Sequence, residues 1–255
     1  MTDRSNLIPW VEKLKGAHIL VVGDAMLDRF VSGDVERISP EAPIPILRVR
    51  HESAMPGGAG NVVRNLAALG ASATFIGVAG ADAAADELKA ALAQHTGVSV
   101  ELIADATRPT TIKVRYLAGN QQMLRTDWES SEPFSDQIGD AVLNATLAAI
   151  PNCNAVVLSD YDKGVLADGR AAKIIAAARD AGKPVVVDPK GDDFGRYPGA
   201  SLITPNRKEL EHAANTTVAD DAAITAAALS LISKHGLGGM LVTRSADGMT
   251  LIDAE

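Results

Sequence analysis

Short runs of consecutive apolar residues alternate along the chain with longer stretches whose apolar positions recur every three or four residues. His18-Ile19-Leu20-Val21-Val22, ending at Gly23-Asp24, is the first such run. Its β-branched, uninterrupted character is that of a strand buried on both faces of a parallel sheet. In the segment GGAGNVVRNLAALG at 57–70, Val62, Val63, Leu66, Ala67 and Leu69 fall at helical spacing ahead of Gly70. That predicts a helix with a glycine-rich start and a glycine stop. Further strands are predicted at Thr74–Val78, Ala155–Leu158, Val185–Val187, near Leu202, and at Met240–Thr243 and Met249–Ile252. Helices are predicted over Ala84–His95, up to Pro151, over Arg170–Ala181, and within 206–213 and 220–235. Strands separated by helices make βαβ units, so the expected class is α/β, a mainly parallel central sheet with helices on both faces.

Two stretches break this rhythm. Residues 30–51 contain a Pro-rich turn followed by the alternating run IPILRVRH, and in 110–127 the runs TIKVRYLAG and QQMLRTDW flank Gly119-Asn120. Both read as β-hairpins, the second placing Lys113 and Arg125 across from each other. A strand-only insertion in an α/β chain has to cover its apolar face. These segments are therefore expected to form a small β lid that also joins two copies into a homodimer. With no repeat or low-complexity linker, residues 1–255 are expected to be one domain.

Composition narrows the function classes. The 47% hydrophobic and 22% charged residues suit a substantial core. A net charge of -8, from 24 basic and 32 acidic residues without any Lys/Arg block, argues against nucleic acid or an anionic membrane as partner. Apolar segments such as 141–150 are far shorter than the roughly 20 residues that span a bilayer. The first fifteen residues lack a signal-peptide core, and the single cysteine, Cys153, has no partner for an internal disulfide. The expected compartment is the cytoplasm.

Two clusters carry candidate chemistry. Gly57, Gly58 and Gly60 at a helix start let a ligand approach the backbone closely, with Asn61 beside them; a tight turn is the plainer reading of the same letters. Asp24 and Asp28 follow the carboxyl end of the first strand, where open α/β sheets place their ligands. A carboxylate there can accept hydrogen bonds from neighbouring sugar hydroxyls, or make an Asx-turn.

Taken in order, VVGDAMLD, PGGAGNVVRNLAALG, VVVDPKG, TPNRKEL and LVTRSADGM resemble the ribokinase-like (phosphofructokinase B) carbohydrate kinases, over about Val21 to Ile252. Within them, RISPEAPIPI, GNQQMLR, LSDYDKG and DPKGDDFGRY are similar to the bacterial kinases that phosphorylate D-glycero-D-manno-heptose 7-phosphate for ADP-heptose and lipopolysaccharide core synthesis. The resemblance implies that Asp28 and Asn61 bind sugar hydroxyls and that Gly57 and Gly58 form the hinge of the lid. It implies that Asn206 and Glu209 organise Mg²⁺ through water around the phosphates of ATP, a spacing that is equally an ordinary capping box. Thr243, Ser245 and Gly248 would contact nucleotide phosphate, Ser245 standing where many relatives have glycine; a plain hairpin turn would use the same residues. A sugar that already carries a phosphate calls for basic side chains, for which Lys113, Arg125, Lys163 beside Asp160, and Lys190 are candidates, against solvated surface charge.

One departure concerns catalysis. The family's late Gly-Ala-Gly-Asp helix start, whose aspartate takes the proton of the attacking hydroxyl, does not occur; Gly58-Ala59-Gly60-Asn61 is close in letters but ends in an amide that cannot be a base. The catalytic base is expected beyond Glu255. The rival readings are a kinase for another phosphosugar and a non-catalytic sugar-phosphate or nucleotide-binding module. A dinucleotide-binding dehydrogenase is set aside, since no GxGxxG follows the first strand.

Overall fold

The structure, a computed structural model, describes residues 8–254. In chain order the elements are α1 (Ile8–Glu12), β1 (His18–Gly23), β2 (Ala25–Ile38), β3 (Pro45–Gly58), α2 (Ala59–Ala68), β4 (Ser72–Ala79), α3 (Ala83–Ala93), β5 (Val98–Ala104), β6 (Thr111–Ala118), β7 (Gln121–Trp128) and α4 (Asp136–Ala149). There follow β8 (Ala155–Ser159), α5 (Arg170–Asp180), β9 (Val185–Asp188), β10 (Leu202–Ile203), α6 (Arg207–Ala214), α7 (Asp221–His235), β11 (Gly239–Thr243) and β12 (Met249–Asp253).

Eight strands form the central sheet in the order β12-β11-β10-β9-β8-β1-β4-β5, parallel except for β12. Side chains of β1 alternate between two apolar layers. Leu20 and Val22 join the larger core with residues of α4, α5, α6 and α7, while Ile19 and Val21 pack with Val63 of α2 and Leu88 of α3. The apolar runs of β1 and β8 thus face a core on both sides, while Val185 and Val187 of β9 and Met240 and Val242 of β11 join the larger one. From β1 the chain winds one way to β4 and β5, then returns to β8 and winds the other way. Loops after β1 and β8 consequently part, leaving a crevice at the carboxyl edge of the sheet, the place where such folds bind ligands.

The two predicted hairpins merge into one four-stranded sheet, β3-β2-β6-β7, joined by parallel pairing of β2 with β6. The lid strands run further than expected, over 25–58 and 111–128 rather than 30–51 and 110–127. β2 starts one residue after β1 ends, and β3 runs directly into α2. The lid hairpin β6–β7 is fastened to the core by Asp82, whose carboxylate caps α3 through Ala85 N and accepts from Thr110 N (2.8 Å) and Thr110 Oγ1 (2.7 Å).

Gly58 sits at the junction of lid and core with φ +52, and a Cβ there would lie 2.6 Å from the Asp24 carbonyl oxygen. Backbone that only glycine adopts readily, together with contact against a fixed carbonyl, leaves no room to relax. Gly58→Ala is expected to lower stability by about 1–3 kcal/mol. The check is the urea midpoint, and an unchanged midpoint would show that the junction yields.

Candidate functional site

Around the crevice, each strand end presents one polar side chain. Asp24 follows β1, Asp160 follows β8, Asp188 ends β9, Asn206 follows β10 and Thr243 ends β11. Over their β1 side stands the inner face of the lid, carrying Asp28 and, paired with it in register on β6, Lys113.

Asp24 holds this arrangement from below. It is 1% exposed, and its carboxylate accepts from the backbone N–H groups of Tyr161 (2.7 Å), Lys163 (3.2 Å) and Val165 (3.3 Å). Burial, opposed by those donors, pushes its pKa up to about 6. Asp24, expected as a sugar ligand, here accepts from three amides of the loop after β8 and so positions that loop. From the other side the buried Arg170 donates to the carbonyls of Gly164 (2.7 Å) and Val165 (3.1 Å). Loop 161–165 is thereby clamped between a buried anion and a buried cation.

Asp28 lies near the start of β2 and Asn61 in the first turn of α2. Asp28 Oδ1 accepts from Arg115 (2.7 Å), and its Oδ2 lies over Gly57, where a Cβ would come within 2.6 Å. Any side chain at 57 would displace that carboxylate. Asn61 Oδ1 is buried without a hydrogen-bond partner. An orphaned carbonyl oxygen at a ligand crevice calls for a donor from outside. Arg115, which stacks over Phe30 as well as pairing with Asp28, escaped the sequence reading. Its one signal was its place on the alternating strand.

The four basic candidates separate. Lys113 and Arg125 do not oppose each other: Lys113 pairs with Asp127 across the hairpin and Arg125 with Arg115. Even a regular hairpin closed by the Ala118–Gln121 pair would set Lys113 opposite Thr126, and an extra residue, Met123, between the Leu117–Gln122 and Tyr116–Leu124 pairs carries it on to Asp127. Lys113 Nζ donates to Asp127 (2.9 Å) and Glu129 (3.1 Å), Lys163 Nζ donates to Glu129 (2.9 Å), and the half-exposed Arg125 is held by Asp127 (2.9 Å). Lys190 lies apart, 4.0 Å from Glu209.

A second cavity of ≈ 340 Å³ is lined by Asp160, Asp188, Lys190, Asn206, Glu209 and Thr243 among others. Asp160 accepts from Tyr197 Oη (2.6 Å) and Arg196 (2.9 Å), two partners that sequence reading missed. Asn206 and Glu209 form the full capping box of α6: Glu209 N donates to Asn206 Oδ1 (3.0 Å) and Asn206 N to Glu209 Oε2 (2.9 Å). Among the described residues no three His, Cys, Asp or Glu side chains gather as a ready-made metal site. Ser245 has φ +55, the left-handed backbone that glycine would take more easily, and Gly248 has φ +86; both lie in the turn between β11 and β12.

Residues 17–255 match the pfkB family carbohydrate kinase. The chain belongs to that family. Bifunctional protein HldE of Paramagnetospirillum magneticum is 50% identical over the whole of this chain, and HldE of Acidiphilium cryptum 47% over 99% of it. The chain spans about half of these relatives, 52% of each. Phosphofructokinase-2 of Escherichia coli, in its tetrameric inhibited form, superposes with a TM-score of 0.75 at 22% identity, covering 94% of this chain and 77% of that one. The ribokinase of Arabidopsis thaliana complexed with ribose and ATP gives 0.69 at 20% identity, covering 93% and 75%. A pfkB-type kinase acts on a sugar with ATP, and the expected fold is the observed one. No helix of the described residues is long and apolar enough to cross a membrane.

Electrostatics add one test of the pfkB cavity. Burial first, then the negative charge of Glu209, push Asp188 up to about 6. A carboxyl pKa above its unfolded value makes the folded chain bind the extra proton. Stability from this group is thus full below about pH 4 and is lost as pH rises through about 6. Asp188→Asn is expected to unfold later than wild type by up to about 3 kcal/mol at pH 7.5 and to lose that advantage near pH 4. Denaturant melts at the two pH values check the sign.

Proposed function

We propose that this chain phosphorylates the anomeric hydroxyl of D-glycero-D-manno-heptose 7-phosphate with ATP, giving the 1,7-bisphosphate, as a cytoplasmic step toward ADP-heptose and lipopolysaccharide core. The observation that carries the sugar side is the unpartnered, buried Oδ1 of Asn61 in the first turn of α2, just after Gly57, over which the Asp28 carboxylate lies. The heptose phosphate itself is supported by the RISPEAPIPI, GNQQMLR, LSDYDKG and DPKGDDFGRY segments and by whole-chain similarity to the HldE proteins.

In this reading Asp28 and Asn61 accept from sugar hydroxyls and fix which one faces the nucleotide. Gly57 and Gly58 give the lid its pivot. ATP phosphates lie in the cavity of Lys190, Asn206 and Glu209, against the backbone of Thr243, Ser245 and Gly248. The donor set suits a divalent cation: Asp188 and Glu209 repel each other there, and hard carboxylate oxygens are magnesium's preferred partners. Asn206 and Glu209 would hold Mg²⁺ through water, with Asp188 alongside; when bound it neutralises phosphate charge. Asp24 and Arg170 keep the floor of the site rigid. The general base is read as an aspartate of a Gly-Ala-Gly-Asp segment outside residues 1–255.

The lid's outer face supports a homodimer. Val35, Ile44, Leu47, Tyr116, Met123 and Leu124 line an apolar groove of ≈ 340 Å³, and Leu124 is 56% exposed. Light scattering on the eluting protein should give twice the monomer mass.

ADP release by the full-length protein, measured against a panel of sugars and sugar phosphates, tests the substrate. Charge-assisted phosphate contacts contribute about 1.5–3 kcal/mol each, so the unphosphorylated heptose is expected to bind about 10- to 100-fold more weakly. Equal use of the two sugars would sink the reading. Preference for another phosphosugar would replace the heptose and keep the kinase.

A further inference from the structure

Two ammonium groups from opposite walls of the crevice converge on one carboxylate. Glu129 takes a hydrogen bond from Lys163 on Oε1 (2.9 Å) and from Lys113 on Oε2 (3.1 Å). Lys113 belongs to the lid and Lys163 to the core, and neither side chain is more than 25% exposed. Strand pairing sets Lys113 beside Asp28, about 4.8 Å away along the hydrogen-bonding direction and on the same face of the sheet. Lys113 also donates to Asp127 on β7 (2.9 Å), so its ammonium lies toward that strand, and Asp28 shares its face of the lid one strand away.

The cations stand on backbone held by strand pairing or buried side chains, and the anion stands on a stretch without regular structure. Lys163 projects from the loop that Asp24 and Arg170 clamp, and Lys113 from the middle of a strand paired on both sides. Glu129 is the first residue beyond β7 and begins a stretch, 129–135, without regular structure. Arg125 and Lys190 do not share this locus: Arg125 is satisfied by Asp127, and Lys190 lies toward Glu209.

We propose that Glu129 occupies the phosphate position of the free protein as an internal stand-in, and that the phosphate of the substrate displaces it to be held by Lys113 and Lys163. The inference rests on reading the crevice as a phosphosugar site. A phosphate monoester can bridge two ammonium groups as a carboxylate does, and it brings up to two charges where Glu129 brings one. With Glu129 in place the lysines are neutralised, and the lid and core walls are tied together in the absence of substrate. An unphosphorylated sugar has nothing to exchange for the carboxylate, so Glu129 would make the site selective for phosphorylated ligands.

The test uses the full-length protein, the single variants Glu129→Gln, Lys163→Ala and Lys113→Ala, the double lysine variant, and that double variant with Glu129→Gln added. Calorimetry follows D-glycero-D-manno-heptose 7-phosphate and the unphosphorylated heptose, and phosphorus NMR follows inorganic phosphate. Removing a competitor ion pair should tighten both phosphate ligands about three- to tenfold in Glu129→Gln. That gain should shrink as salt rises from about 0.05 to about 0.5 M, and the unphosphorylated heptose should bind as before. Lys163→Ala and Lys113→Ala should each weaken both phosphate ligands, and adding Glu129→Gln to the double lysine variant should give no gain. Unchanged or weaker phosphate binding in Glu129→Gln overturns the proposal, as does equal weakening of both sugars, which would make Glu129 a hydroxyl ligand. If wild type binds heptose 7-phosphate and Glu129→Gln shows no gain, only this inference falls. If heptose 7-phosphate fails to bind while inorganic phosphate follows the expected pattern, only the substrate falls.

Discussion

Residues 1–255 produced alone are expected to bind the phosphosugar yet release ADP at least about 10²–10⁴-fold more slowly than the same residues joined to a Gly-Ala-Gly-Asp segment. In the proposed reading the sugar side, with Asp28 and Asn61, and the nucleotide side, with Asn206, Glu209 and Thr243, both lie within the described residues. Positioning and charge neutralisation would then operate without the proposed general base. Loss of the helix-start donors that would face the transferred phosphoryl group adds about another 10²–10³-fold. Paired calorimetry and ADP release on the two proteins separate binding from turnover. Comparable turnover by the 255-residue protein would put the base among residues assigned here to binding, with Asp188 and Asp160 the first to change.

Asp28→Ala is expected to lower kcat/KM for the phosphosugar by about 10²-fold or more. Two charge-assisted hydrogen bonds to neighbouring hydroxyls contribute about 1.5–3 kcal/mol each, and every 1.4 kcal/mol is tenfold. The loss should be confined to function. Asp28 and Arg115 are both partly exposed, so the pair they form contributes little to stability. Asn61→Ala should act in the same direction and more weakly, since an amide carbonyl accepts a neutral bond. Sugar affinity unchanged in both variants, with the melting temperature also unchanged, would remove Asp28 and Asn61 from the site.

The central sheet was legible because its strands are buried on both faces, which writes uninterrupted apolar runs such as Ile19 to Val22 and Val185 to Val187 into the sequence. β5 was missed although VSVELIA alternates: it forms the sheet's edge, and its burial is partial along the whole strand. The start of β2 was missed for a different reason. A single residue, Asp24, separates it from β1, and no turn chemistry marks the change of sheet. The same brevity hides the surroundings of Asp24, which accepts from three amides of a loop about 140 residues away. Local letters cannot announce such partners. Asn206 and Glu209 show the converse, since the spacing foretold a capping box and the box is formed. Lys113 and Arg125 were mispaired because a two-residue turn at Gly119-Asn120 already sets position 113 against 126, and the bulge at Met123, which no residue beside the turn signals, moves it on to Asp127.

With the pivot proposed at Gly57 and Gly58, the near absence of linker between sheet and lid would make β2 and β3 a mechanical lever. Each strand has 14 residues, so at about 3.3 Å per residue the arm reaches at most about 46 Å from its fulcrum at Asp24 and Gly58. A rotation of about 5° would sweep the far tip through about 4 Å while moving Asp28, four residues from the fulcrum, by only about 1 Å. Opening wide at the mouth then demands almost no displacement at the sugar-binding carboxylate. A spin-label pair on the lid tip and the core should report large distance changes on ligand binding, and a pair placed near Asp28 almost none.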